Sequence, residues 1–315
     1  MPEQWSRPTV EPVGIQVFDE RCRALVPDGA SVTHLCTGAV WAEGPVYLPA
    51  ADAVLWSDIP NNRMLRWSPY DGMTVWRSPS NFVNGNTLDE DGNVVHCSHG
   101  ARAILRTEHD GTVSTVVDRY MGMRFNSPND LVVKSDGTIW FTDPPYGILL
   151  NREGYQAESE IRASNVYRFD PEDGELSVVV TDVDEPNGLA FSPDESLLYV
   201  ADTSAGMRTD GTGNHHIRVY DVRGDRRALD GRVFAVVEPG LADGFRLDEA
   251  GNVFTSSADS IQIYAPDGVR LGKIEVPEKV GNCCWGGPDK RRLFIAASTS
   301  LYSIELATTG AGLYW

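Results

Sequence analysis

Six stretches of this chain repeat one pattern, and that repeat constrains the fold more than any other feature. "WAEGPVYLPAADAVLWSD", "NFVNGNTLDEDGNVVHCSH", "SPNDLVVKSDGTIWFTD", "EPNGLAFSPDESLLYVADTS", "LADGFRLDEAGNVFTSSAD" and "VGNCCWGGPDKRRLFIAAS" each carry an Asn, Asp or Glu within their first four residues. A short apolar run follows, then a turn rich in Asp and Gly, then a second apolar run. The units begin at Glu43, Asn84, Asn129, Asn187, Asp243 and Asn282. A period of about 40–50 residues built from short strands is the pattern of a four-stranded propeller blade. The fold class is therefore all-β, a six-bladed β-propeller. The two longest spacings read as loop insertions on a regular blade.

Six blades fill the chain from 43 onward, so residues 1–315 form a single domain rather than the two that length alone suggests. After Asn282 the chain offers only "RLFIAAS" and "SLYSIEL", one strand short of a blade. The N-terminal segment 1–42 contains "SVTHLCTGAVW" (31–41), a strand placed to complete the last blade and close the ring without a free edge.

A formal net charge of −18 with no basic block argues against a nucleic-acid or anionic-membrane partner. The apolar runs are too short to span a bilayer. The start "MPEQWSRPTVEPVGIQ" lacks the apolar core of a secretory signal. The five cysteines (Cys22, Cys36, Cys97, Cys283, Cys284) are irregularly spaced. Reduced thiols in the cytoplasm are the expectation.

In a propeller the first strand of each blade lines the central channel, so the six unit starts fall on one ring. They bring two carboxylates and four amides, all hard oxygen donors suited to Ca²⁺, Mg²⁺ or Mn²⁺. The competing reading is plain turn chemistry, since Asn-Gly and Asp-Gly are turn formers. A turn repeat has no need of Glu at 43.

"WAEGPVY", "RFNSPNDLVVKSDGTIWFTDPPYG" and "EPNGLAFSPDESLLYVADTS" closely resemble the gluconolactonase and regucalcin family of six-bladed propellers, and its bacterial gluconolactonase branch in particular. The likeness runs from about residue 35 to the end. It implies hydrolysis of sugar lactones such as D-glucono-1,5-lactone, with one divalent cation, commonly Ca²⁺, with Zn²⁺ or Mn²⁺ also accepted. The family's ligand positions fall on Glu43, Asn129, Asn187 and Asp243, and the resemblance gives Asp243 a second role as catalytic base. Arg124 is similar to a substrate-contacting arginine of regucalcin-like members, displaced here by two residues relative to the asparagine. Asn84 and Asn282 lie outside the ligand motif. Asn84 is expected to line the site, and Asn282 to do less.

A second set, Asp58, His99, Asp143 and Asp202, follows the unit starts by 14 or 15 residues and returns toward the same mouth. His99, Asp143 and Tyr146 are the candidate substrate contacts; for His99 a histidine packed beneath a loop is the equal alternative, and for Asp143 capping of the Pro-Pro turn that follows is slightly favoured. The insertions at 144–164 and 203–219 are expected to wall the mouth. His215-His216 reads as exposed loop rather than metal site. Two other functions use the same ring: another aldonolactonase or a phosphotriesterase of this fold, and a calcium-binding scaffold without activity.

Overall fold

The structure is a computed structural model that describes residues 8–11, 13–208 and 210–312. Six antiparallel sheets stand around one axis, each begun by an inner strand. These inner strands are Ala42–Leu48, Val83–Leu88, Leu131–Val133, Pro186–Phe191, Phe245–Leu247 and Val280–Gly286. Helix is confined to Tyr146–Leu149 and three short 3₁₀ turns among the described residues. The hairpin read in 131–142 forms as Leu131–Val133 paired with Ile139–Asp143, with Gly137 in the left-handed region at φ 79°.

The sixth sheet takes its fourth strand from the other end of the chain. Val32–Thr37 pairs antiparallel with Ser300–Glu305, joining the termini. Two strands with no counterpart in the repeat extend this device. Thr9–Glu11 adds a fifth strand to the sixth blade, and Ile15–Val17 adds one to the fifth. The N-terminal segment therefore ties two neighbouring blades together as well as covering their edges.

The core lies between faces of adjacent blades. Phe125, Phe141 and Tyr167 pack together with Val95, Cys97 and Ile104 where the second blade meets the third. Their rings meet edge-on or stacked at 5.1–5.3 Å. Each such side chain contributes about 1.5–3 kcal/mol by leaving water. All five cysteines are buried and unpaired. No helix among the described residues is long and apolar enough to cross a membrane.

Candidate active site

Five of the six unit starts, all but Asn129, have a glycine beside them that permits very close approach between blades. A Cβ on Gly44 would stand 2.1 Å from the Asn84 carbonyl oxygen, and one on Gly188 would stand 2.4 Å from that of Asp243. A Cβ on Gly244 would fall inside the Asn282 amide, 2.0 Å from its Cγ. Gly85, Gly188 and Gly244 are absent from the positive-φ residues, so they are not turn glycines. Glycine is required there because any side chain would push the inner strands apart.

Hydrogen bonds run round the same ring. The Asn86 amide donates to Gly44 O at 2.7 Å, and Gly85 N donates to Asn129 O at 2.9 Å. The Thr142 hydroxyl donates to Asn187 O at 2.8 Å. Gly188 N donates to Asp243 O at 2.9 Å, and Gly244 N to Gly281 O at 2.8 Å. Gly281 closes the circle against the Glu43 carboxylate. The ring residues are thus held by backbone, which fixes the side chains they project.

Glu43, Asn84, Asn129, Asn187 and Asn282 are buried and Asp243 is half-buried. Burial pushes the Glu43 carboxyl well above the usual carboxylate range, and the Asp243 charge pushes it further; the Gly44 N–H, 3.0 Å from Oε2, opposes this. Burial lifts Asp243 to about 7, with Asp130 and Glu153 adding while Lys279 and the Asn187 amide pull it down. Asp130, beside Asn129, is a third carboxyl in the channel. Burial raises it, and Arg246 at 3.6 Å opposes.

A divalent cation fits this donor set. Glu43 Oε1 is buried with no hydrogen-bond partner among the described residues, an expensive state for a carboxylate oxygen unless a cation meets it. Crowded carboxyls raised by burial and by one another need positive charge, and carboxylate with amide oxygens is the set hard cations take. No group of three His, Cys, Asp or Glu side chains among the described residues is placed to hold a metal. The set therefore depends on the amides of Asn129 and Asn187.

The other expected contacts divide. The Asn84 amide faces His99 Nε2 at 3.4 Å, and His99 Nδ1 lies 2.8 Å from Glu153 O. A carbonyl only accepts, so the proton sits on Nδ1 and Nε2 is the acceptor. Burial lowers His99 to about 4, so the imidazole is neutral at neutral pH, with both ring nitrogens engaged. The Tyr146 hydroxyl is hydrogen-bonded to Thr203, whose Oγ1 accepts from the Asn187 amide at 3.2 Å. Tyr146 thus reaches the ring through Thr203.

Two expectations are corrected. Asp143 is fully buried, and its oxygens accept from Asn126 N at 2.9 Å and Ser127 N at 2.8 Å. It clamps the segment entering its own blade and has no face left for substrate. Asp58 does the same for Val40 N and Asp202 for Asp184 N, so this second set is structural. Arg124 is occupied by protein partners, its guanidinium donating to Ala101 O at 2.8 Å and its backbone N–H to Glu160 at 2.9 Å. His215 bonds Val237 O and His216 begins a blade strand, so the pair shares no site.

The insertion at 144–164 folds back over the second blade. Glu153 O holds His99, Tyr155 packs on Phe82, and Ser159 donates to Asn126. Glu153, Thr203, Lys279, Asp130 and Arg246 were not singled out from sequence. Only Asp130 carried a local signal, as a poor strand former at a strand start. The channel's far end opens into a cavity of about 310 Å³ walled by Tyr47, Leu88, Val133, Phe191, Leu247 and Trp285. None of the six ring residues lines it, so the candidate site lies toward the opposite mouth.

Residues 41–299 match the family model described as the SMP-30/gluconolactonase/LRE-like region. The chain belongs to that family. Its relatives include the gluconolactonase of Zymomonas mobilis, 34% identical over 94% of this chain and 87% of that one. They also include the pentonolactonase of Haloferax volcanii, 28% identical over 81% of each chain. Among solved structures of the family, the Xanthomonas campestris gluconolactonase superposes with a TM-score of 0.86 at 36% identity, covering 96% of this chain and 99% of that one.

Proposed function

We propose that this protein hydrolyses sugar lactones, D-glucono-1,5-lactone to D-gluconate foremost, at the channel mouth ringed by Glu43, Asn129, Asn187 and Asp243. It is a lactone hydrolase of the gluconolactonase type. The observation carrying the site assignment is the convergence of these four oxygen donors from four blades, with Glu43 Oε1 buried and unsatisfied. A divalent cation held there, Ca²⁺ foremost, would supply Lewis-acid polarisation of the lactone carbonyl.

The chain's own residues supply the rest. Asp243 accepts a proton from water as the water oxygen adds to the carbonyl carbon, giving a tetrahedral oxyanion. Collapse breaks the ring C–O bond, and Asp243 returns the proton to the departing ring oxygen, which becomes a hydroxyl. The aldonic acid formed then ionises and releases its proton to solvent. In the metal-free channel burial raises Asp243 above the exposed carboxylate range; a cation on it would lower that again, which leaves it a weak base whose demands an activated lactone can meet. Lys279 limits that rise and stands ready to favour anionic states near it. The Asn187 amide lowers the Asp243 carboxyl, and Thr203 Oγ1 accepts from that amide at 3.2 Å.

The test is proton release from D-glucono-1,5-lactone at neutral pH, spontaneous hydrolysis subtracted, for wild type and Asp243→Asn. The reading requires turnover in wild type and near-background rates in the variant. Equal rates in the two would remove Asp243 from the chemistry.

A further inference from the structure

We infer that Phe82 and Tyr155 form an aromatic platform at the rim of the mouth, on which the C–H face of a cyclic sugar lactone rests. The inference rests on the lactonase reading and adds the residues that select a ring-shaped, sugar-like substrate.

Phe82 sits two residues before Asn84, and both it and Asn81 adopt left-handed backbone, at φ 53° and 63°. A bulky aromatic in that region is a genuine outlier and persists only where its surroundings force it. Here they do. Phe82 N donates to Asn62 Oδ1 at 2.8 Å, and Phe82 O accepts from His99 N at 3.0 Å. Asn81 O accepts from Ser98 Oγ at 2.7 Å and Gly100 N at 3.1 Å. Four hydrogen bonds hold two strained residues immediately outside a ring position, and their result is to set the direction of the Phe82 ring.

Tyr155 arrives from the other side. The 144–164 insertion crosses the second blade and is pinned two residues earlier, where Glu153 O meets His99. The two rings then meet edge to face, with centroids 5.2 Å apart and planes at 86°. Phe82 is half-buried and buttresses Tyr155, which remains 55% exposed. A large aromatic left open beside a polar, cation-suited ring gives the mouth one apolar wall and one polar floor. That is the division a sugar lactone presents, with carbon-bound hydrogens on its faces and oxygens round its edge. Trp41 holds the corresponding place before Glu43, but the Lys279 ammonium lies over its ring at 5.1 Å, which leaves Tyr155 as the open face.

The test compares Tyr155→Ala, Tyr155→Phe and Phe82→Leu with wild type. The readouts are KM and kcat for D-glucono-1,5-lactone and calorimetric affinity for D-glucono-1,5-lactam, which is not hydrolysed under the assay. Tyr155→Ala should raise KM and weaken lactam binding by roughly three- to tenfold, the size of one stacking contact, with kcat nearly unmoved. Phe82→Leu should do the same more weakly by losing the buttress, and Tyr155→Phe should restore wild-type KM. Unchanged KM in Tyr155→Ala, or equal damage in Tyr155→Phe, overturns the platform. A wild type that binds lactam through Tyr155 without hydrolysing lactone would instead contradict the lactonase reading alone. Failure of wild type to bind lactam overturns the platform.

Discussion

Gly281 lies against the Glu43 carboxylate so closely that a Cβ on it would stand 2.4 Å from Oε1 and 3.0 Å from Ala42 O. The last blade therefore sets the position of a donor carried by the first. Gly281→Ala should swing that carboxylate out of the ring while leaving the strand intact. Its kcat/KM should fall by about 10²-fold, as for a misplacement of about 1 Å at a reacting centre, with only a small change in Tm. Parallel assays of turnover and thermal melting check this. A large loss of Tm with proportionate activity would mean that the glycine serves packing alone.

Asp243→Asn should separate activity from stability in opposite directions. Removing one buried carboxyl from the Glu43, Asp130 and Asp243 group relieves repulsion that raises Glu43. In chelator, the Tm of Asp243→Asn should rise by roughly 2–4 °C, while kcat falls by about 10³-fold. A lower Tm with the same loss of rate would mean that Asp243 is held by contacts the ring account omits.

The fold and the ring were legible in the sequence because each unit start carries its own signal, an oxygen-bearing residue where a strand former belongs. The glycine beside it was legible as a residue but not in its role. Asn-Gly suggests a turn until the neighbouring blade is seen within 2–3 Å of the missing Cβ. Asp143 stood between substrate contact and a turn role for a related reason. Its spacing reveals where the strand ends, but not that two backbone N–H groups wait there. Lys279, Thr203 and Glu153 reach the mouth through loop paths, and loop paths are set by tertiary contacts that no local pattern records.

Asp143→Asn tests that correction. An amide keeps an acceptor for one of the N–H groups of Asn126 and Ser127 and turns a donor on the other, which needs an acceptor. The expected cost is about 2–3 kcal/mol of stability by denaturant unfolding, with KM for the lactone essentially unchanged in the folded fraction. A raised KM without loss of stability would return Asp143 to the substrate.

His96 predicts a loss of stability in mild acid. It is fully buried, with Nδ1 2.6 Å from Asn86 Oδ1 and Nε2 2.7 Å from Thr107 Oγ1. The amide of Asn86 is spent donating to Gly44 O, so its oxygen accepts and Nδ1 carries the proton. Thr107 also receives Arg77 at 2.6 Å, leaving its hydroxyl hydrogen for Nε2. Burial, with Arg77 adding, lowers His96 to about 3 from an ordinary value of 6.5. The unfolded chain binds the proton first as pH falls, so stability is full above about 6.5 and declines toward pH 3, by about 1.4 kcal/mol per unit within that window. His96→Gln should flatten that decline in chemical unfolding measured from pH 7 to 4. An unchanged slope would assign the acid sensitivity to other groups.

The central claim, a cation-dependent lactonase site on the ring, is tested most directly by chelation and repletion. Hydrolysis of D-glucono-1,5-lactone is followed by proton release before EDTA, after EDTA and dialysis, and after adding Ca²⁺, Zn²⁺, Mn²⁺ or Mg²⁺ separately. Bound metal is measured in each sample, with Glu43→Gln alongside. The account predicts one equivalent of cation in active wild type, activity lost on chelation and regained with one ion, and weak or absent binding in Glu43→Gln. Full lactonase activity in protein carrying no divalent cation would contradict it.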